Sequence, residues 1–129
     1  MNLTTKYLLL FLIALSNQAS ANGWEKVATS ENDDAIFYIA PNSIKRMGSH
    51  RVVWEVINHH EGGQDRLKSV KVEQEYDCKS LSARILYGTA HSEHFAKGNT
   101  LLVLPATPTS WKIFDKGSVA DIVRNRVCS

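Results

Sequence analysis

One stretch of nine residues constrains the fold of this chain more than any other, and it ends in a cysteine. Its alternate residues form two sets, one mostly apolar and the other wholly charged. The two sets are Val70, Val72, Gln74, Tyr76 and Cys78, and Lys71, Glu73, Glu75 and Asp77. Because successive side chains of a strand point to opposite faces, this period of two predicts a strand with one buried and one solvated face. The strand would place Cys78 on its buried face.

The first 21 residues are typical of a secretory signal peptide. Lys6 precedes an apolar run, residues 7–15, and Ala19-Ser20-Ala21 fits the small-x-small cleavage pattern, which predicts cleavage before Asn22. A membrane anchor is the alternative, but a spanning helix needs roughly 20 apolar residues. The residue directly after the predicted cleavage site is not a cysteine that could carry a lipid anchor. We therefore expect an exported mature protein, in the periplasm, at the cell surface or outside the cell.

The expected mature chain, residues 22–129, has the length of a single domain with a modest core. The leader contains one Lys and no acidic residue, so 14 basic residues face 13 acidic ones and the net charge is +1 with neutral histidine. Such a balance gives no argument for binding nucleic acid or an acidic membrane. The mature sequence shows no second hydrophobic span, and it leaves the oligomeric state open.

Cys78 and Cys128 are the two cysteines of the chain. An even count in an exported protein predicts pairing, here in one intramolecular bridge that closes a loop of about 50 residues. By the chain-entropy model such a bridge stabilises the fold by roughly 4 kcal/mol. A free or metal-bound pair is the alternative, but a two-cysteine metal site would need closer spacing or added histidines.

The hydrophobic pattern predicts an α+β domain: about six antiparallel strands with one C-terminal helix packed on a face of the sheet. A short helical turn is expected from Asn42 or Ser43 through Arg46, and a turn at Gly62-Gly63. Ser118 is the predicted N-cap of the last helix, whose Val119, Ile122 and Val123 should pack on the sheet. The predicted strands cover residues 24–28, 35–39, 51–58, 67–78, 81–89 and 100–104.

Several features spread over nearly the whole mature chain occur together in one known family. The most specific are Glu75-Tyr76-Asp77-Cys78 and the terminal Cys128. The others are Trp24, Phe37-Tyr38, Pro41-Asn42-Ser43-Ile44, Val53-Trp54, Ser69, Gly98 and Trp111. With these features the chain resembles the surface-adhesin protein E-like family of proteobacterial exported proteins. The resemblance implies an α+β fold with the two cysteines paired, and a surface protein that binds host matrix or plasma proteins.

Four histidines are the candidates for metal or haem binding, because imidazole is a common ligand. His91 and His94 are three residues apart and would share one side of a helix. Together with His59 and His60 they could converge from two loops. Solvated loop histidines are the alternative, and we expect no cofactor.

The charged set of the nine-residue stretch offers carboxylates but no predicted pocket. Acid–base catalysis would need a pKa raised by burial, and a solvated face does not provide it. No nucleophile paired with a base stands out in the sequence. We therefore predict no catalytic residue and no enzymatic activity.

Three residues are the candidate binding contacts: Trp111, Lys68 and Lys71. We expect the tryptophans, including Trp24 and Trp54, in the core, but Trp111 follows a Pro-rich loop and is the one that an interface would expose. The two lysines belong to a run of basic residues that could form a patch for an acidic partner. A mixed, solvated surface is the alternative. The rest of this run is Lys45, Arg46, Arg51 and Arg66.

The primary expectation is an exported, non-enzymatic, adhesin-like domain with a protein partner. If the strand that ends at Cys78 lay at an edge of the sheet, a partner could add a strand to it. Two other classes stay open. One is a periplasmic envelope protein with a housekeeping or stress role, which the missing lipid-bearing cysteine favours. The other is a small metal- or haem-binding protein that uses the loop histidines.

Overall fold

A computed structural model of the protein describes residues 23–60 and 66–129, which form an antiparallel sheet and a C-terminal helix. The predicted leader with its cleavage before Asn22, and the predicted Gly62-Gly63 turn, lie outside these residues. Within the described ranges, no helix has the length and apolar character that crossing a membrane requires.

Eight strands precede the helix, and the main path of the sheet runs β1-β2-β4-β5-β6-β7, with β3 beside β4 and β8 beside β6. Every neighbouring pair is antiparallel. The predicted α+β architecture is confirmed. The elements are β1 (Glu25–Thr29), β2 (Ala35–Ile39), β3 (Lys45–Met47), β4 (His50–His59), β5 (Ser69–Asp77), β6 (Ser82–His91), β7 (Thr100–Val103), β8 (Lys112–Ile113) and α1 (Val119–Val127).

The alternating stretch forms β5, which lies in the middle of the sheet. It pairs along its whole length with β4 on one side and β6 on the other. Addition of a partner's strand was predicted only if β5 lay at an edge of the sheet. β5 does not lie at an edge, because both of its backbone edges are already hydrogen-bonded. In the main path of the sheet the outer strands are β1 and β7.

The helical turn expected from an Asn42 or Ser43 cap through Arg46 was wrong: Ala40 is the N-cap of the observed turn, and the chain is extended from Ile44 onwards. A single 3₁₀ turn spans Pro41–Ser43, and the chain then forms β3 against the start of β4. Gly48 closes this hairpin with φ of +62°, a left-handed conformation that glycine adopts without strain. A strand of three exposed residues has no hydrophobic alternation by which a sequence could show it.

The core lies between α1 and one face of the sheet, which we call the helix face. The side chains buried there come from four strands and from the helix. They are Ile39, Val53, Tyr76, Ala83, Val123 and Val127. Tyr76 is the largest of them and is 1% exposed, so the apolar set of β5 faces the core as predicted.

Helix α1 begins as expected, with Ser118 Oγ accepting a hydrogen bond from the backbone N–H of Asp121. Its inward stripe is formed by Val119, Val123 and Val127, which are spaced four residues apart. Ile122 is 45% exposed. The prediction that Ile122 packs on the sheet was wrong, because successive residues turn about 100° around a helix and place it outside this stripe.

The bridge Cys78–Cys128 joins the residue after β5 to the end of α1, with a Cα–Cα distance of 5.7 Å, and confirms the predicted pairing. The guanidinium of Arg124 strengthens the same corner by donating hydrogen bonds to the carbonyl oxygens of Asp77, Cys78 and Ser80 at 3.0, 2.8 and 2.7 Å. The helix is therefore fixed to β5 by covalent and polar contacts together.

Beneath α1, a carboxyl group lies inside the core. Glu55 of β4 is 1% exposed, and its Oε2 accepts hydrogen bonds from the Tyr76 hydroxyl at 2.5 Å and the Gln74 side-chain amide at 3.0 Å. Burial raises the pKa of Glu55 from 4.5 to about 7, although both hydrogen bonds act in the opposite direction. Burial and the charge of Glu55 together raise the pKa of Tyr76 well above its usual value.

The disulfide generates the first prediction. Replacing both cysteines by serine should lower the free energy of unfolding by up to roughly 4 kcal/mol, because the unfolded chain loses a closed loop of 50 residues. Urea denaturation of both proteins measures the difference. A reducing agent should lower the thermal midpoint of the wild type and leave that of the double variant unchanged. An unchanged wild-type midpoint would contradict the stabilising role.

Glu55 generates the second prediction, a pH dependence of stability. An unfolded carboxyl ionises near 4.5 and the folded one near 7, so between these values the folded state holds the extra proton. The free energy of unfolding should therefore fall as the pH rises from about 4.5 to 7, by roughly 3 kcal/mol in total.

The variant Glu55→Gln should remove this slope and should be the more stable protein at pH 8, because the amide oxygen still accepts from Tyr76 and carries no charge. Urea denaturation between pH 4.5 and 8 measures both effects. Glu73→Gln, on the other face of the sheet, is the matched control and should keep the slope. A slope that survives in Glu55→Gln would place the titrating group elsewhere.

Candidate functional site

The face of the sheet opposite α1, which we call the open face, carries no α-helix within the described residues. Short segments around Phe95 and Trp111 fold over its two ends. The pairing register brings Trp54, Glu73 and Tyr87 into one row across three strands. The next row consists of Val52, Glu75 and Arg84.

The charged set of β5 lies on this face. These side chains were predicted to be solvated, but they are buried or half-buried. Glu75 is 6% exposed, and Lys71, Glu73 and Asp77 are half-buried. The prediction of a solvated face was wrong because side chains from β4 and β6 cover these residues. Their positions depend on cross-strand pairing, which the alternation within one strand does not show.

Glu75 organises one end of the open face through an ion pair and a hydrogen bond to histidine. Its Oε1 accepts from Arg84 Nε at 2.8 Å, and its Oε2 lies 2.7 Å from His50 Nδ1. Burial alone would raise the pKa of Glu75, but the contacts with His50 and Arg84 outweigh it and hold the pKa below its usual value. Glu75 is therefore an ionised carboxylate that orients two side chains of the neighbouring strands.

Trp111 packs on both of the side chains that Glu75 orients. The guanidinium carbon of Arg84 lies 4.8 Å from the centroid of the indole ring, and the His50 ring lies 5.2 Å away in an edge-on arrangement. The indole remains 38% exposed. Ile113, two residues later, pairs with Ser82 on the same face and is 88% exposed. Two apolar side chains are thus presented to solvent beside a fixed ion pair.

A second aromatic contact occupies the middle of the open face. The Lys71 ammonium lies 4.9 Å from the centroid of the Trp54 ring, and the Tyr87 ring meets that indole edge-on at 6.1 Å. The prediction that Trp24 and Trp54 lie in the core was wrong, because both are half-buried, whereas Trp111, the tryptophan expected at an interface, is exposed. Trp54 belongs to the set of β4 that lies beside the charged set of β5.

The apolar character continues onto the edge of the sheet at β7, all four residues of which are exposed. Val103 pairs with Thr89 and so belongs to the open face. We call this set of half-buried and exposed apolar residues, with the two cations that contact it, the aromatic surface. Its members are Trp54, Tyr87, Val103, Trp111 and Ile113, with Lys71 and Arg84.

The predicted binding residues are therefore divided between two places. Trp111 and Lys71 belong to the aromatic surface. Lys68 lies at the far end of β5, where its Nζ is 3.6 Å from Glu93 Oε2. The basic run does not form one patch. Lys45 pairs with Val52 near the start of β4, whereas the backbone carbonyl of Lys68 accepts a hydrogen bond from His59 at the end of β4. Val52 and His59 are about 25 Å apart along this strand.

Three of the four candidate metal ligands lie around a groove of about 170 Å³ at this far end. His59, His60 and His94 line it together with Tyr38 and Phe95, and His94 Nε2 lies 2.9 Å from the His59 carbonyl oxygen. No three His, Cys, Asp or Glu side chains in residues 23–60 and 66–129 are arranged to hold a metal ion. The four-histidine metal site stays a prediction.

The fourth candidate, His91, is not part of the groove lining. Its Nε2 lies 2.7 Å from Thr89 Oγ1, and its buried Nδ1 has no hydrogen-bond partner among the described residues. Burial, followed by the charge of Lys71, lowers the pKa of His91. The neutral form of this imidazole is therefore favoured.

The wall of the groove contains strained backbone. Phe95 and Ala96 both have φ of +58°, a conformation that costs other residues than glycine about 1–3 kcal/mol each. Their N–H groups donate to Asn58 Oδ1 at 2.8 Å and to Ser69 Oγ at 3.0 Å, and both acceptor residues are buried. These bonds hold the Phe95 ring 4.9 Å from Tyr38. Sequence reasoning missed this turn because its acceptors lie more than 25 residues away.

A family model described as surface-adhesin protein E matches residues 24–129, whereas a comparison with curated proteins finds no significant match. Crystal form II of Haemophilus influenzae protein E covers 84% of this chain and 89% of its own, with a TM-score of 0.66 at 14% identity.

Protein E from non-typeable Haemophilus influenzae gives a TM-score of 0.59 at 12% identity and covers 86% of this chain and 78% of its own. At such identities the structural likeness shows a shared fold. The family model adds a sequence match over almost all of the described residues. The chain belongs to the surface-adhesin protein E family.

Proposed function

We propose that the protein is an exported, non-enzymatic, adhesin-like domain that binds host matrix or plasma proteins through the aromatic surface. The observation that carries the proposal is the exposure of Trp111 and Ile113, 38% and 88%, beside aromatic rings that cations contact on the open face. Membership of the surface-adhesin protein E family supports the same class of function.

The residue types of this surface are those that contribute most to protein interfaces. Trp, Tyr and Arg are enriched among the residues whose truncation costs the most binding energy. The contacts of Trp111 with Arg84 and His50 restrict its ring before any partner arrives, which lowers the entropy that binding loses. A preorganised aromatic side chain of this kind is suited to enter an apolar depression on a partner.

The ion pair beneath Trp111 supports this use of the surface. Covering an unpaired charge with a partner would cost several kcal/mol. Arg84 already has Glu75 at 2.8 Å, so a partner that covers Trp111 does not have to supply a countercharge. The neighbouring exposed side chain of Ile113 can then be buried at little electrostatic cost.

Export is part of the proposal and rests on the predicted leader, residues 1–21, and on the family. Cell fractionation with detection of the mature protein tests it. Protein at the cell surface or in the medium fits binding to host molecules. Protein confined to the periplasm would contradict the adhesin role and would favour an envelope partner.

The third prediction concerns Ile113, because substituting so exposed a side chain should disturb the fold least. The variant Ile113→Asp should weaken binding to a matrix or plasma protein at least tenfold, because it places a charge in the apolar contact. Surface plasmon resonance against a panel of purified matrix and plasma proteins measures the affinity of wild type and variant.

The matched control is Ile122→Asp, which makes the same change at an exposed isoleucine on the outer side of α1. This variant should bind like the wild type. Equal losses in both variants would show a general effect of charge, and unchanged binding in Ile113→Asp would remove the aromatic surface as the contact. If no protein of the panel binds the wild type, the proposed function is wrong.

A further inference from the structure

A pocket of about 210 Å³ opens between α1 and the helix face, on the opposite side of the sheet from the aromatic surface. This volume is several times the roughly 30 Å³ that a water molecule occupies in the liquid. Glu55, Tyr76 and Val123 are buried and form its floor. The half-buried residues around its opening are Phe37, Gln74, Val119 and Ala120.

One oxygen of the carboxyl group on the floor has no hydrogen-bond partner among the described residues. Glu55 Oε2 accepts both hydrogen bonds, from Tyr76 and from Gln74. Oε1 accepts none from the described residues, and Glu55 lines the pocket. Burial outweighs the two bonds and raises the pKa of Glu55 to about 7, so above that pH the group is a carboxylate with an acceptor that no described residue uses.

The part of the chain that the structure describes also places no cation against this carboxylate. In residues 23–60 and 66–129, no Lys, Arg or His nitrogen lies within 4 Å of it. Arg51, on the same face of β4, donates through Nη1 to the carbonyl oxygens of Gly48 and His50. A buried carboxylate without a cation is costly, and a ligand that supplied a positive charge would remove that cost.

We propose that the pocket binds an alkylammonium group, with the nitrogen donating to Glu55 Oε1 and the hydrocarbon chain against Phe37, Val119, Ala120 and Val123. Three apolar side chains of α1 and one of β2 suit methylene groups, and the single acceptor on the floor suits one ammonium head. A free primary amine and the side chain of a lysine in a partner protein present the same group. The inference stands independently of the aromatic surface.

The binding should depend on pH, because a proton competes with the ammonium for Glu55. Tyr76 is the titratable group in contact with Glu55, and it stays neutral because its pKa is raised. The elements α1 and β2 contribute only Val119, Ala120, Val123 and Phe37 to the pocket. The affinity should therefore fall below about pH 7 and approach a tenfold loss per pH unit.

The fourth prediction is tested by titrating the ¹⁵N-labelled protein with n-butylammonium chloride at pH 8 and at pH 5. The backbone amide signals of residues 119–123 should shift at pH 8, and the affinity should be at least tenfold lower at pH 5. The neutral n-butanol and the anionic butyrate should each bind at least tenfold more weakly than n-butylammonium. Equal binding of n-butanol would overturn the proposal.

Two variants remove the site in different ways. Glu55→Gln removes the charge, and Ala120→Leu fills the pocket without altering Glu55. Each should abolish the shifts, whereas Glu73→Gln on the open face should leave them unchanged. Ala120→Leu decides the question if Glu55→Gln does not fold. Shifts that persist in a folded Ala120→Leu, or no shifts in the wild type, would refute the pocket as the site.

A second titration, with Nα-acetyl-lysine methylamide, distinguishes the two sources of the ammonium group. Binding of this compound supports recognition of lysine side chains in proteins. Binding of n-butylammonium alone supports a free amine as the ligand. Neither result changes the outcome of the Ile113→Asp experiment, so the pocket and the proposed adhesin function can fail separately.

Discussion

The register of β5 between β4 and β6 is the constraint on which both faces of the protein depend. On the helix face it brings Tyr76 and Gln74 to Glu55, and on the open face it places Glu75 between His50 and Arg84. A slip of one residue would exchange the two faces of the strand. It would put charged side chains under α1, and the bridge from Cys78 to the helix opposes such a slip.

Features that local sequence patterns encode could be predicted. The alternation of β5, the N-cap Ser118 and the pairing of Cys78 with Cys128 each follow from neighbouring residues or from the expected compartment. The short strands β3 and β8 were missed because two or three residues contain no period. The position of Ile122 required the phase of the helix stripe, and several equivalent apolar residues left that phase undetermined.

The candidate site was only partly visible in the sequence. Trp111 was found because it follows a Pro-rich loop, but its partners Arg84 and His50 are 27 and 61 residues away in the chain. The burial of Glu75 and the half-exposure of Trp54 likewise depend on cross-strand neighbours. Glu55 did carry a local signal, since it interrupts the strongly apolar segment Val52 to Ile57, and a carboxyl group at such a position favours a buried role.

The Cys78–Cys128 bridge also determines what happens when the chain is cut. The closed loop contains β6, β7, β8 and α1, and with them Tyr87, Val103, Trp111 and Ile113. A protease that cleaves once in the exposed Pro-rich segment, residues 105–110, breaks the main chain but releases no fragment. The two pieces remain one covalent molecule, so the aromatic residues stay attached to the sheet after a single nick.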